Sequence, residues 1–167
     1  MAYTDLVLMQ QTSIELAKRL GYSRIFTSSD ISIARKQSVR KCIFIGSEKG
    51  RLDHAIRDSS VIGIVLEDSI ESKSVIEHAA SEGKPIFLIA THLTSAATQA
   101  RLRSIYRMRR LFGFARHARA SIGIISLASE PAELLSSMQM LEIAKMLGAD
   151  EPYAKEMLEV LSGAYDT

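Results

Sequence analysis

Cysteine is nearly absent from this sequence and tryptophan is missing altogether. The single cysteine, Cys42, excludes an internal disulfide and agrees with a reducing compartment. It stands in the apolar run Cys42–Ile45, which predicts a buried thiol rather than a reactive one. No apolar run approaches the ~18–20 residues of a membrane-spanning helix, and the segment Met1–Leu8 carries Asp5 and no basic side chain. We therefore expect a cytoplasmic protein that contacts no membrane.

Acidic residues are missing from one long stretch of the chain. Residues 1–82 carry equal numbers of acids and bases, whereas residues 83–129 contain no Asp or Glu, one lysine and seven arginines. Residues 130–167, which we call the acidic tail, carry eight acids and two lysines. The net charge of +2 hides this asymmetry, which predicts an anionic partner for the middle segment.

The apolar segments indicate an α/β protein. With 167 residues, 47% of them hydrophobic, and no Gly-, Ser- or Pro-rich linker, the chain 1–167 is expected to form one domain. Most of its apolar runs are continuous rather than alternating, which is typical of strands buried in a parallel sheet. The predicted strands are Tyr3–Leu8, Arg24–Phe26, Cys42–Ile45, Val61–Leu66, Pro85–Ala90 and Ser121–Ser126.

Helical spacing separates these strands. Short helices are expected around Leu16–Leu20, ended by Gly21, and around Val75–Ala80. A long helix is expected over about 95–120. In the acidic tail, one helix is predicted from Pro131 to a stop at Gly148, and a second from its cap at Asp150 to Gly163.

The strand–helix alternation fits either a TIM-type barrel or an open doubly wound sheet. A complete barrel normally takes ~200 residues or more, so a barrel with about six strands would be reduced or incomplete. We expect a TIM-barrel-like α/β fold of this reduced kind, with a C-terminal helical pair.

The long helix is expected to bury one side and to present arginines on the other. Ile105, Met108, Leu111, Phe112, Ala115 and Ala118 fall on one arc. Arg103, Arg107 and Arg110 fall on the opposite side, Arg109 and Arg116 on a flank, and Arg101 and Arg119 at the ends. Because guanidinium forks match phosphate oxygens, we predict that all seven bind RNA. The alternative is that they pair with the acidic tail or with Glu67, Asp68 and Glu71.

Catalytic signals are weak. The predicted strand ends hold Gln10, Gln11, Ser28 to Asp30, Ser47, Glu48, Glu67, Asp68, Thr91, His92 and Ser126. The four histidines are scattered and form no metal-ligand spacing, and Gly46–Gly50 is read as a turn because it lacks the order of a phosphate-binding loop. We expect no catalytic residue, no bound metal and no cofactor.

Three parts of the sequence resemble a known family. They are Lys49–Asp58 with the strand Val61–Leu66, then Asp5 in a first strand with the helix Glu15–Tyr22, and finally the helical pair Leu141–Ser162. In these segments the chain resembles the archaeal ribonuclease P protein component three family, which includes the eukaryotic thirty-kilodalton ribonuclease P subunit.

This resemblance implies a TIM-barrel-like fold and membership of the ribonucleoprotein that removes 5′ leaders from precursor tRNA. In that family the RNA subunit carries the chemistry, and the protein binds the catalytic RNA and a small ribonuclease P protein subunit. The chain departs from the family where an arginine is usual after the last strand: it has Ser126–Ser129 and then Leu135–Ser137. The segment Arg101–Arg119 is the expected substitute.

Two other functions stay open from the sequence. A metal-dependent barrel phosphoesterase would need clustered His and Asp ligands, yet Leu6-Val7-Leu8 stands where its His-x-His would lie. A protein-interaction module would use the arginines to bind an acidic protein.

Overall fold

The computed structural model describes residues 3–9, 14–34, 41–66, 73–94 and 98–166. Strands and helices alternate along the chain. The strands are β1 (Thr4–Leu6), β2 (Arg24–Phe26), β3 (Ser32–Ala34), β4 (Cys42–Gly46), β5 (Val61–Leu66), β6 (Ile86–Ile89) and β7 (Ile122–Ile125). The helices are α1 (Ile14–Arg19), α2 (Lys49–Arg57), α3 (Lys73–Ser81), α4 (Thr91–Thr94), α5 (Thr98–His117), α6 (Ser137–Leu147) and α7 (Glu151–Asp166).

Every strand pairing is parallel. The strands β1 and β2 form one sheet, and β3 to β7 form a second sheet in which the spatial order follows the order in the chain. Helices pack against these sheets, so the predicted α/β class is confirmed. Within the residues that the structure describes, the strands form two separate sheets and not a closed barrel. No helix in those residues is both long enough and apolar enough to cross a membrane.

A buried carboxylate joins the two sheets. Asp5 of β1 is fully buried, and its Oδ1 accepts hydrogen bonds from the backbone N–H groups of Ser126 (2.7 Å) and Leu6 (2.8 Å). The Ser126 hydroxyl donates to Asp5 Oδ2 at 2.6 Å. Two backbone bonds extend the junction: Leu127 N–H donates to the Leu6 carbonyl, and Leu8 N–H donates to the Ala128 carbonyl, both at 2.9 Å. These bonds fix the strand β1 to the segment that directly follows β7.

The aromatic ring of Phe87 fills the space next to two glycines on the neighbouring strands. Phe87 of β6 is buried between Gly63 of β5 and Gly123 of β7. A Cβ added at Gly63 would lie 2.3 Å from Phe87 Cε2, and one added at Gly123 would lie 2.4 Å from Phe87 Cε1. Glycine is therefore required at both positions because a side chain would overlap the Phe87 ring, and not because of an unusual backbone angle.

The core has two parts, one on each side of the strands. The larger cluster lies under the helices and includes Ile64, Leu88 and Phe112. The smaller cluster contains Phe87 and Leu161 of α7, so the last helix covers the side of the sheet that the other helices leave open.

The strand predictions are confirmed, and three elements were missed. All six predicted strands are present, and the bounds of Arg24–Phe26 and Val61–Leu66 agree with β2 and β5. The missed elements are β3, α2 and α4. The predicted turn at Gly46–Gly50 is wrong at its end, because Lys49 and Gly50 begin α2. Cys42 is buried, as predicted.

The predicted ends of the long helices need correction. Pro131 opens only a 3-10 turn (Pro131–Glu133), and α6 begins after Ser136, whose hydroxyl accepts from Gln139 N–H while Gln139 accepts from Ser136 N–H. The stop at Gly148 is confirmed, with a left-handed φ of 112°. Asp150 caps α7 as predicted, accepting from Tyr153 N–H at 3.0 Å. The stop at Gly163 is wrong, because α7 continues to Asp166.

The helix predicted over 95–120 is shorter than expected. Ser95 lies outside the described residues, and α5 spans Thr98–His117. It ends because Arg119 adopts a left-handed φ of 57° and Ala120 N–H donates to the Ala115 carbonyl at 2.9 Å. That backbone bond is the usual closure of a helix C-terminus.

Gly123→Ala is expected to lower the free energy of unfolding by about 1–3 kcal/mol, because the new methyl overlaps the Phe87 ring. The cost should fall in a Phe87→Leu background, where the smaller side chain leaves room. Denaturant titration of the four proteins in the double-mutant cycle measures this coupling. The control is Gly113→Ala, where the new Cβ meets nothing and the helix should gain about 0.5–1 kcal/mol. Additive costs at 87 and 123 would contradict the proposed overlap.

Burial raises the pKa of Asp5 to about 6, against the opposing effect of its three hydrogen bonds. The folded protein therefore binds a proton more tightly than the unfolded chain does, and stability falls as the pH rises from about 4 through 6. The shift of roughly two units corresponds to about 3 kcal/mol. Relative to Asp5→Asn, which cannot titrate, the native protein should gain that amount between pH 7 and pH 4. Urea unfolding of both proteins across this range measures the difference, and parallel stability curves would contradict it.

Candidate nucleic-acid interface

The helix α5 is held in place by one apolar arc. Met108, Leu111, Phe112 and Ala115 are buried, at the i, i+3, i+4, i+7 spacing of a single helix side. Ile105 and Ala118, which were predicted on the same arc, are half-buried. The predicted buried side of this helix is therefore confirmed, and the outer side is left without a packing role.

Six of the seven predicted RNA-binding arginines are exposed. The exposed residues are Arg101, Arg103, Arg109, Arg110, Arg116 and Arg119. Arg107 is half-buried instead, and its position needs correction: it does not continue the exposed row of Arg103 and Arg110 but turns toward a cavity at the inner edge of α5. Partial burial lowers the pKa of the Arg107 guanidinium from its usual value. It still carries its charge at neutral pH.

The acidic tail pairs with its own lysines. Lys155 lies 2.8 Å from Glu151, and Lys145 lies 3.0 Å from Glu142 and 3.8 Å from Glu151. Asp150 caps α7, and Glu133 accepts from the Ser129 N–H and hydroxyl groups at 2.8 Å. Among the described residues, no ion pair joins the tail to Arg103, Arg109, Arg116 or Arg119. Pairing of the arginines with Glu67, Asp68 or Glu71 lies outside the described residues.

Two arginines of α5 lie against aromatic rings. The Arg116 guanidinium carbon is 5.2 Å from the ring centroid of Tyr153 and 5.9 Å from that of Phe112. The Arg110 guanidinium carbon is 5.9 Å from the ring centroid of Tyr106 and 5.7 Å from that of Phe114. Such contacts hold a guanidinium in place without neutralising it. Positive charge therefore remains on the outer side of α5, at defined positions.

Two exposed apolar side chains accompany these arginines. Leu102 is 62% exposed and Tyr106 is 66% exposed, although both belong to the helix whose other side is in the core. Neither residue was predicted to belong to the site. The available signal was their position four residues apart, on the arc opposite Met108 and Leu111.

A cavity of about 650 Å³ lies between α5 and the strands. Its walls are mostly apolar, from β5, β6 and the inner side of α5. Its polar lining comes from Ser47, Thr91, His92, Ser104 and Arg107. The described part of the lining contains no carboxylate.

The candidate catalytic residues at the strand ends are only partly brought together. Ser47, Thr91 and His92 line the cavity, whereas the Glu48 carboxylate pairs with Arg51 at 2.8 Å. Ser126 is buried against Asp5 and so is closed to substrate. Gln10, Gln11, Glu67 and Asp68 lie outside the described residues. Within the described ranges, no three His, Cys, Asp or Glu side chains form a group that could hold a metal ion.

His78 lies in α3, as expected, with its Nδ1 atom 2.8 Å from Asp53 Oδ1 of α2. The two residues join neighbouring helices. His117 is the exposed last residue of α5. Neither histidine belongs to the cavity lining.

Arg116→Gln and Arg109→Gln are expected to differ in stability, although both arginines lie on the same flank of α5. Losing the contacts of Arg116 with Phe112 and Tyr153 should cost about 0.5–1 kcal/mol, whereas Arg109→Gln should change the free energy of unfolding by less than about 0.5 kcal/mol. Thermal and urea unfolding of the two variants measure the difference. Equal losses would show that Arg109 also has a structural contact.

Comparison with solved structures finds a similar fold in a ribonucleoprotein. The chain matches a chain of a cryo-EM structure of archaeal ribonuclease P with mature tRNA, with a TM-score of 0.71 and 12% sequence identity. The match covers 98% of this chain and 80% of the other. No protein-family model matches the sequence, and no curated protein does. The likeness at this identity is one of fold, and it extends over nearly the whole chain.

Proposed function

We propose that this chain is a protein subunit of ribonuclease P. In this function it binds the catalytic RNA and precursor tRNA, together with a small ribonuclease P protein subunit, and supports removal of the 5′ leader. The observation that carries the proposal is the fold likeness, over 98% of the chain, to a chain of archaeal ribonuclease P with mature tRNA. The RNA would supply the chemistry, so the chain itself needs no catalytic residue.

The charge distribution supports the proposal independently of the fold. The residues 83–129 contain no acid, and the outer side of α5 carries arginines that the acidic tail leaves unpaired at positions 103, 109, 116 and 119. Like charges at i, i+4 destabilise a helix by repulsion, so an anionic partner would stabilise α5 relative to the unbound chain. We propose Arg101, Arg103, Arg107, Arg109, Arg110, Arg116 and Arg119 as RNA-binding residues.

The proposal also extends to the fold and the cellular setting. The strand order β3 to β7 follows the chain, as it does around a TIM-type barrel, and Asp5 connects β7 to β1. We propose that the single domain is a reduced TIM-like barrel that works in the cytoplasm of an archaeal cell. The alternative function, a metal-dependent barrel phosphoesterase, has no support from a ligand cluster, because the described residues do not bring three metal ligands together.

Replacing Arg103, Arg109 and Arg110 with Gln should weaken binding to an archaeal ribonuclease P RNA and flatten its dependence on salt. Each lost phosphate contact should reduce the slope of log K against log salt by about 0.7–0.9, so the triple variant should lose about 2–3. Filter binding over a series of salt concentrations measures the slope.

The matched control removes the same number of positive charges by replacing Lys73, Lys145 and Lys155. Each of these lysines pairs with a glutamate. This variant should keep the native slope. Equal slopes for the arginine triple variant and the native protein would contradict the role of α5, and absence of any binding to the ribonuclease P RNA would contradict the proposed function.

A further inference from the structure

The outer side of α5 has an apolar line along its centre. Leu102 and Tyr106 are one helical turn apart and are 62% and 66% exposed. Gly113 continues the line two turns beyond Tyr106, and a Cβ there would meet no atom within 4 Å. Single exposed apolar side chains occur elsewhere on the surface, as at Met138, but Leu102 and Tyr106 lie next to each other on one helix side and so form a candidate binding surface. The surface above Tyr106 is open.

Arginines flank this line on both sides. At ~100° per residue, Arg110 and Arg103 lie about 40–60° to one side of Tyr106, and Arg109 and Arg116 lie about 60–80° to the other. The Arg110 guanidinium lies over the Tyr106 ring, with its carbon 5.9 Å from the ring centroid. The sequence predicted a row of arginines on the outer side of α5. In the structure this side is the apolar line with a row of guanidinium groups along each of its two edges.

The two components bind different parts of a nucleotide. An exposed aromatic ring offers a flat surface on which a nucleobase stacks, whatever its sequence, and guanidinium groups bind the phosphates on either side of it. In an RNA duplex the bases stack on one another and expose only sugars, phosphates and base edges. Only an unpaired base can lie against a tyrosine ring.

Charge selects RNA over protein as the occupant of this surface. An apolar protein partner would have to bury Arg103, Arg109 and Arg116 with the tyrosine, and each would need an acid of its own. A nucleic-acid strand supplies one negative charge per nucleotide and an apolar base face together. The arrangement of Leu102, Tyr106 and the flanking arginines fits that repeat.

We propose that α5 binds single-stranded RNA, with one unpaired base stacked on Tyr106 and the adjoining phosphates held by Arg103, Arg109 and Arg110. This inference rests on the RNA-binding part of the proposed function and adds the class of RNA and the residue that recognises it. Tyr106 supplies affinity that does not depend on salt, and the arginines supply affinity that does.

The test measures binding of a short single-stranded RNA of about 10 nucleotides and of a duplex of the same length by fluorescence anisotropy. Three variants are compared with the native protein: Tyr106→Ala, Tyr106→Phe and, as a control with an equally exposed apolar side chain on α6, Met138→Ala. Circular dichroism confirms that α5 remains helical. A single 2-aminopurine in the RNA reports stacking through quenching of its fluorescence.

Tyr106→Ala should weaken binding of the single strand about 5- to 100-fold without changing the salt slope. Tyr106→Phe should bind within about twofold of the native protein, because phenylalanine keeps the aromatic ring. Met138→Ala should bind as the native protein does, and quenching should disappear only in Tyr106→Ala. A duplex should bind more weakly and should be insensitive to Tyr106.

Native affinity of Tyr106→Ala for the single strand would overturn the inference, as would equal binding of the single strand and the duplex. In either case the arginines could still bind ribonuclease P RNA, so the proposed function would survive. If single-stranded RNA binds through Tyr106 but the ribonuclease P RNA does not bind, the inference stands and the proposed function fails. If neither the single strand nor the ribonuclease P RNA binds, both fail.

Discussion

The buried carboxylate of Asp5 organises the carboxyl ends of three strands. It accepts hydrogen bonds from the backbone N–H and the hydroxyl of Ser126, directly after β7. The Ser126 carbonyl accepts from the hydroxyl of Thr91 (2.7 Å), two residues after β6. Burying this group raises its pKa, so the junction is costly when ionised, and its hydrogen bonds offset part of that cost. The helices α4 and α5 lie between β6 and β7 in the chain, the two strands that Ser126 and Thr91 follow.

The position of α5 separates its structural side from its functional side. Its buried arc, from Met108 to Ala115, is sufficient to hold the helix, and Arg116 adds contacts with Phe112 and Tyr153. The outer side is then free to carry like charges that would weaken an isolated helix. In the acidic tail, Glu142 and Glu151 pair instead with Lys145 and Lys155. Two regions of opposite charge thus remain distinct within one chain.

The sequence predicts the strands and helices that have a clear local pattern of apolar residues, and it misses features that depend on contacts between distant residues. The continuous apolar run Val61–Leu66 could only be a buried strand, and the spacing of Met108, Leu111 and Phe112 identifies the inner side of α5. By contrast, β3 is three residues long with no apolar run, and Gly50 concealed the start of α2. The contact between Asp5 and Ser126 spans 121 residues and has no local signal. For the site, composition identifies the arginines and helical spacing places Tyr106 opposite the buried arc, but the inward turn of Arg107 depends on tertiary packing.

Reconstituted cleavage tests the central claim most directly. Precursor tRNA is incubated with an archaeal ribonuclease P RNA and the small protein subunit, with and without this chain, at magnesium concentrations where the RNA alone is slow. As a ribonuclease P subunit, the chain should accelerate release of the 5′ leader, and the variant that lacks Arg103, Arg109 and Arg110 should do so less. An unchanged cleavage rate on adding the native chain would contradict the claim, however tightly the chain bound the RNA.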